Sequence, residues 1–168
     1  MSIRVALVDD HALIRLSLSH LLADVPGIEI LWLATSGEEA LQRVKEDSPD
    51  VLLLDLDMPG MGGHEAALRL LKQATDVRIV MLSVTDEGPW PARLLQAGVT
   101  GYIGKGAELD ELVMAIRRAG IGKRYISPHL AQQLALQPYL RNQAENPFDQ
   151  LSEREMQVLS ALSSGKRV

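Results

Sequence analysis

Three short stretches of the sequence are continuously apolar and rich in β-branched residues. They are "IRVALV" at 3–8, "VLLLDL" at 51–56 and "VRIVMLSV" at 77–84. Strands of this kind are typical of parallel sheets that are buried on both faces, because a strand with one solvated face would alternate apolar and polar residues. We therefore predict that each stretch is a strand of a buried parallel sheet.

Two further strands and five helices complete the pattern. The strands are "IEILWLA" at 28–34 and "TGYIG" at 100–104. Segments with helical spacing of apolar residues lie between the strands, at 11–23, 37–47, 64–74, 88–97 and 108–119. Ser36 stands where an N-cap of the second helix would stand. Regular strand–helix alternation predicts an α/β fold, a doubly wound parallel sheet with helices on both faces.

Composition and charge exclude several classes of protein. The chain has 168 residues and no cysteine, which excludes disulfides and thiolate metal sites. No apolar run approaches the roughly 18 residues of a membrane span, so we expect a cytoplasmic protein without a membrane partner. Residues 1–119 carry 11 basic against 18 acidic residues. This acidic balance argues against nucleic-acid binding by that part of the chain.

The chain is expected to divide near residue 120. Residues 1–120 contain the five strand–helix units, and the turn-forming glycines and proline of "AGIGKRYISP" follow. We predict a linker over 121–148 and the start of a second unit over 149–168. In that last part, Ser152 and Glu155 have the spacing of a capping box, which indicates a helix that begins near residue 153.

Polar side chains stand at the carboxyl ends of four predicted strands, where open α/β sheets place their functional sites. They are Asp9 and Asp10, Asp55, Ser83, and Lys105. Three carboxylates in an apolar frame repel one another unless a cation holds them, and Mg²⁺ is the oxygen-seeking cation expected. A lysine and a hydroxyl suit phosphate oxygens, and a carboxylate can act as the nucleophile of phosphoryl transfer.

The order and spacing of these residues resemble the receiver domain of bacterial two-component response regulators. The intervals are 45 residues from Asp10 to Asp55, 28 to Ser83 and 22 to Lys105. The segments "RLLQAGVTGYIGKGAELDELVMAIR", "RYISPHLAQQLA" and "NPFDQLSEREMQVL" resemble the GacA/UvrY branch of the NarL/FixJ family, transcription regulators with a LuxR-type helix-turn-helix. The resemblance implies a flavodoxin-like receiver with a five-stranded sheet in the order 2-1-3-4-5, followed by a helical linker and an all-α helix-turn-helix.

The resemblance also implies a role for each acidic residue. Asp55 would accept a phosphoryl group from a phosphohistidine on a sensor histidine kinase or a phosphotransfer protein. Asp10 and Asp55 would bind Mg²⁺ directly, Asp57 would bind it through its backbone carbonyl, and Asp9 would act through water. Self-phosphorylation and self-dephosphorylation would be the only catalysis, so the chain is not expected to be an enzyme otherwise.

The remaining motif residues would read out the phosphorylated state. Lys105 would pair with the phosphate and Ser83 would donate a hydrogen bond to it. Tyr102 would then turn inward into the space that Ser83 leaves, and the domain would change its binding surface. Such a switch is a local electrostatic event that biases a two-state element.

The second unit would connect this switch to DNA in full-length relatives. Residues 149–168 resemble only the first helix of a LuxR-type domain, whose recognition helix enters the major groove. We therefore expect an incomplete helix-turn-helix, and a 168-residue chain that does not bind DNA specifically. Homodimer formation is left open.

Two alternatives remain from the sequence. One is a receiver that never acts through DNA and serves as a phosphate sink or a partner-binding switch. The other is a phosphatase of the haloacid dehalogenase type, in which Asp55 would be the nucleophile and Asp57 the general acid. His11 and His64 are interpreted as surface residues at helix starts, because no second ligand at metal spacing accompanies either in the sequence.

Overall fold

The computed structural model describes residues 2–73, 76–85 and 87–136. Its elements in chain order are β1 (Ile3–Val8), α1 (Ala12–Ala23), β2 (Ile28–Ala34), α2 (Gly37–Glu46), β3 (Val51–Asp55), α3 (Gly63–Lys72), β4 (Arg78–Ser83), α4 (Trp90–Ala97), β5 (Gly101–Gly104), α5 (Leu109–Gly120) and β6 (Tyr125–Ile126). Residues 128–136 are also helical. The helix predicted near residue 153 lies outside the described residues.

The strands form one parallel sheet in the order β2-β1-β3-β4-β5-β6. The order predicted for the first five strands is confirmed. β1 and β3 are neighbours near the centre of the sheet, with Val8 opposite Leu54, so their carboxyl ends lie side by side. Because the chain order reverses at β1, this is the edge of the sheet where doubly wound folds leave a crevice.

Helices cover both faces of the sheet, which explains the continuous apolar strands. All five residues of β3 are buried. One core cluster packs against α2, α3 and α4 and includes Leu52 and Leu54. The other packs against α1 and α5 and includes Val51 and Leu53. Alternate residues of one strand therefore enter two different cores, and neither set can be polar.

Local capping fixes where the helices on the site side begin. The hydroxyl of Ser36 accepts a hydrogen bond from the backbone N–H of Glu39 at 3.1 Å, so the predicted N-cap is confirmed. α3 begins at Gly63, whose backbone N–H donates to the carbonyl of Leu56 at 3.0 Å. A Cβ at Gly63 would stand 1.9 Å from the carbonyl oxygen of Asp55. Only glycine lets α3 start this close to the end of β3.

The segment after α5 packs on the sheet, although the sequence predicts it as linker. The hydroxyl of Tyr125 donates to Glu111 of α5 at 2.7 Å, and the guanidinium of Arg124 donates to the Leu95 carbonyl of α4. Burial first, and then this bond to Glu111, raise the pKa of Tyr125 to about 12. Leu130 is 1% exposed and belongs to the core. Part of the predicted linker is thus continuous with the domain.

A sequence pattern could not reveal β6, because it has only two residues and stands between turn-forming glycines and a proline. Strand periodicity needs about four residues to be recognised. Within the described ranges, no helix is long and apolar enough to cross a bilayer.

We predict that Gly63→Ala destabilises the fold by about 3 kcal/mol, the upper part of the usual range for overpacking against backbone. The new methyl group would have to displace the Asp55 carbonyl. Urea denaturation measures the effect. Gly106→Ala is the control, because nothing lies within 4 Å of a Cβ at that position. Equal unfolding free energies for the two variants would contradict the prediction.

Candidate functional site

Three carboxylates meet at the carboxyl ends of β1 and β3. Asp9 and Asp55 are fully buried, while the Asp10 side chain is 25% exposed. Ligand oxygens of all three, together with a ring nitrogen of His11, lie within 4.8 Å of one another. The predicted cluster of acids is therefore present, and the topology of the sheet assembles it from residues far apart in sequence.

Lys105 supplies a positive charge to this cluster. Its backbone N–H donates to the Ser83 carbonyl at 2.7 Å, which anchors the loop after β5 to the end of β4. Its Nζ stands 2.9 Å from Asp55 Oδ1 and 3.2 Å from Asp9 Oδ2. Burial alone would lower the pKa of the ammonium, but the hydrogen bonds and charges of the two carboxylates outweigh burial and raise it.

Lys105 compensates the buried charge of Asp55 only in part. Burial raises its pKa from 3.8 to about 6, and the charge of Asp9 adds to the rise, while Lys105 opposes it. Oδ1 accepts hydrogen bonds from Lys105 and from the backbone N–H of Asp57, the latter at 3.1 Å. Oδ2 is buried and has no hydrogen-bond partner among the described residues. Oδ1 is thus held in place by hydrogen bonds, and Oδ2 is available to contact a ligand.

The charges and donor types fit a divalent cation. Three carboxylates and one ammonium leave a local charge of about −2 when all are ionised. Mg²⁺ prefers carboxylate oxygens and water, and it binds through one or two carboxylates with phosphate oxygens as further ligands. Asp10 Oδ1 also lacks a hydrogen bond among the described residues, and it is the kind of buried oxygen that such a cation would satisfy.

The Asp57 side chain does not join the cluster. It is exposed, and its carboxylate is outside the group of acids that meet at the strand ends. Its backbone N–H instead orients Asp55. A phosphatase of the haloacid dehalogenase type would need this carboxylate as a general acid beside Asp55, and the structure does not bring it there.

Ser83 and Tyr102 lie in β4 and β5, the next two strands of the sheet. Asp55 is opposite Leu82, so Ser83 is one residue further along β4. Ser83 is buried, and its hydroxyl donates to the carbonyl of Thr85 in the loop before α4. Tyr102 is 1% exposed, so its ring faces the interior and not the solvent.

His11 is a residue that the sequence interpretation missed. Its Nδ1 is 3.2 Å from Asp10 Oδ1 and 3.3 Å from Asp9 Oδ1. The sequence contains a signal, since His11 directly follows the two acids at the start of α1. These three residues lie between β1 and α1 and follow neither period, however, so sequence adjacency alone did not indicate that the ring turns back toward the acids.

Comparison with known proteins finds a family model and several relatives that match this chain. The response regulator receiver domain family matches residues 5–117. The chain is 46% identical to the response regulator GacA of Pseudomonas aeruginosa over 166 residues, which are 99% of this chain and 78% of that protein. It is 43% identical to the response regulator UvrY of Escherichia coli K12, across 99% of this chain and 76% of that protein.

Solved structures agree with the fold. A LuxR-family two-component response regulator from Aurantimonas superimposes with a TM-score of 0.77 at 31% identity, covering 83% of this chain and 99% of that one. The signal receiver domain of the response regulator NarL from Mycobacterium tuberculosis gives a TM-score of 0.69 at 31% identity. The match covers 73% of this chain and 98% of that one.

We predict that metal-free Asp55→Asn is more stable than the wild type at neutral pH, and that the difference disappears in acid. The raised pKa means that the folded state holds a proton that the unfolded state has released between pH 3.8 and about 6. Unfolding free energy of the wild type therefore falls as pH rises through this window, by about 3 kcal/mol relative to the variant.

Urea denaturation in EDTA from pH 4 to pH 8 measures this difference. Asp24→Asn makes the same chemical change at an exposed position where α1 ends, and its difference from the wild type should vary far less with pH. A constant difference between wild type and Asp55→Asn across the range would show that Asp55 titrates as an ordinary exposed acid.

Proposed function

The chain belongs to the response regulator receiver family, and we propose that Asp55 is the residue through which it accepts a phosphoryl group in a two-component phosphorelay. The observation that carries this assignment is the asymmetry of the Asp55 carboxylate. Oδ1 is held by Lys105 and by the Asp57 amide, whereas Oδ2 is buried without a partner. A fixed carboxylate with one free oxygen is what nucleophilic attack on phosphorus requires.

The proposed reaction transfers the phosphoryl group between two side chains. Asp55 Oδ2 attacks the phosphorus of a phosphohistidine on a sensor kinase or phosphotransfer protein. The P–N bond breaks, the imidazole leaves with its electron pair and takes up a proton, and an aspartyl phosphate remains. Lys105, which contacts the carboxylate before the transfer, would pair with the phosphate and balance the charge that it brings.

A bound Mg²⁺ would neutralise the phosphate oxygens during this transfer. We propose Asp10 and Asp55 as its direct ligands, the carbonyl of Asp57 as a third, and Asp9 as a ligand through water. The fully buried Asp9 also holds the ammonium of Lys105, so it links the cation side of the cluster to the phosphate side. Self-phosphorylation and self-dephosphorylation would be catalysed by this same set of groups.

Ser83 and Tyr102 would respond to phosphorylation of Asp55. A phosphate on Asp55 would compete with the carbonyl of Thr85 for the hydroxyl of Ser83. Breaking that hydrogen bond would release the loop before α4. Tyr102 would then be retained in its inward position rather than moved there, because it is buried already. This differs in detail from the inward turn that the family resemblance implies.

We further propose that the switch regulates transcription. The GacA and UvrY relatives are named response regulators, and a LuxR-family regulator is among the similar structures. Residues 1–120 would be the receiver, 121–148 the linker, and 149–168 the first helix of a LuxR-type helix-turn-helix. The site at the end of the sheet would set the state of the receiver, and the linker would transmit it. The cytoplasm is where kinase and receiver would meet.

We predict that a small acyl phosphate donor labels the wild type only when Mg²⁺ is present, and that Asp55→Asn takes up no label. The variant lacks the nucleophilic oxygen but keeps the shape of the side chain. Intact-mass spectrometry measures the incorporation. Asp57→Asn should still be labelled, because its side chain lies outside the cluster.

Two results would contradict the assignment. Labelling of Asp55→Asn at the wild-type level would place the acceptor elsewhere. Loss of labelling in Asp57→Asn, together with steady release of inorganic phosphate by the wild type, would favour the phosphatase alternative.

A further inference from the structure

The imidazole of His11 lies at the rim of the carboxylate cluster, and its position suits metal ligation. Nδ1 is 3.2 Å from Asp10 Oδ1 and 3.3 Å from Asp9 Oδ1. Two ligand atoms at right angles around an ion, each about 2.1 Å from it, stand about 3.0 Å apart. Nδ1 and Asp10 Oδ1 are therefore spaced much as two neighbouring ligands of one octahedral ion would be.

The side chain has no competing role in the helix that follows it. His11 is the N-cap residue of α1, but its ring does not cap the helix amides. Its backbone N–H donates to Asp9 Oδ1 at 2.8 Å, which fixes the turn, while the ring points toward the two acids. The side chain is 61% exposed, so it can adjust its position without losing packing.

A second observation is a buried acid of the same cluster with an oxygen that no hydrogen bond satisfies. Asp55 is fully buried, its Oδ2 lacks a partner among the described residues, and it belongs to the same group of four ligand atoms as His11. The cluster thus offers three oxygens and one nitrogen from two adjacent strand ends.

We propose that His11 Nδ1 is a direct ligand when this site holds a borderline transition ion such as Co²⁺, Ni²⁺ or Zn²⁺. Imidazole suits these ions, whereas Mg²⁺ takes oxygen ligands and gains little from a ring nitrogen. His11 thereby makes the site bind borderline ions more tightly than carboxylates alone would. The inference rests on the cation site of the proposed function and specifies which ions that site favours.

Calorimetric titration of the full chain with Co²⁺ and with Mg²⁺ tests the proposal. His11→Ala should weaken Co²⁺ binding on the order of ten- to hundredfold, the range that loss of even an outer-shell partner produces. Mg²⁺ binding should change by less than about twofold, because its ligands remain. His20→Ala is the matched control, since it removes another exposed histidine of α1, and neither affinity should change.

Proton NMR of the Co²⁺-loaded protein gives a second readout that does not depend on affinity. A histidine bound to Co²⁺ produces strongly shifted ring-proton signals. These signals should be present in the wild type and in His20→Ala, and absent in His11→Ala. Unchanged Mg²⁺ binding in His11→Ala also shows that the variant is folded around the site.

Three outcomes overturn the proposal. They are unchanged Co²⁺ affinity in His11→Ala, equal losses of Co²⁺ and Mg²⁺ affinity, and the absence of shifted ring signals from the loaded wild type. The equal losses would mean that His11 acts only by positioning the acids. Failure of the wild type to bind any divalent ion would instead contradict the cation site of the proposed function.

Discussion

The site depends on how one partly buried ammonium is shared between two buried carboxylates. Lys105 Nζ contacts both Asp55 and Asp9, yet it can neutralise only one of them. Burying an uncompensated charge is unfavourable, and the raised pKa of Asp55 expresses this. The cluster therefore keeps an excess of negative charge that Lys105 alone does not neutralise. A divalent cation would supply the positive charge, and in the proposed reaction a phosphoryl group would alter the balance again.

The sheet makes this arrangement possible because its two central strands end side by side. Val8 pairs with Leu54, so Asp9 and Asp55 follow neighbouring positions of β1 and β3. α3 starts directly above the Asp55 carbonyl, where Gly63 leaves no Cβ to clash. Backbone hydrogen bonds from buried strands hold these positions, so the acids cannot move apart to relieve their repulsion. In the proposed switch, this rigid frame would convert a change of charge at Asp55 into a change in the surrounding loops.

Much of the fold was predictable because burial on both faces of the sheet constrains consecutive residues of each strand. Burial of a strand on both faces requires an uninterrupted apolar run, and "VLLLD" in β3 carries that signature. The acids, Ser83 and Lys105 were predictable as a set, because the carboxyl ends of parallel strands converge on one edge. The pairing of Lys105 with both Asp55 and Asp9 was not, since distances depend on side-chain packing. β6 has too few residues to show a period. The ring of His11 turns toward its sequence neighbours, and this depends on local conformation that a sequence pattern does not reveal.

The most direct measurement of the central claim is a crystal structure of the protein with Mg²⁺ and beryllofluoride, a stable mimic of the phosphoryl group. The account predicts beryllium bonded to an oxygen of Asp55, fluorines in contact with Lys105 Nζ and Ser83 Oγ, and the cation against Asp10 and Asp55. Beryllofluoride bonded to Asp57, or a site that holds the cation while Asp55 stays unmodified at saturating beryllofluoride, would contradict it.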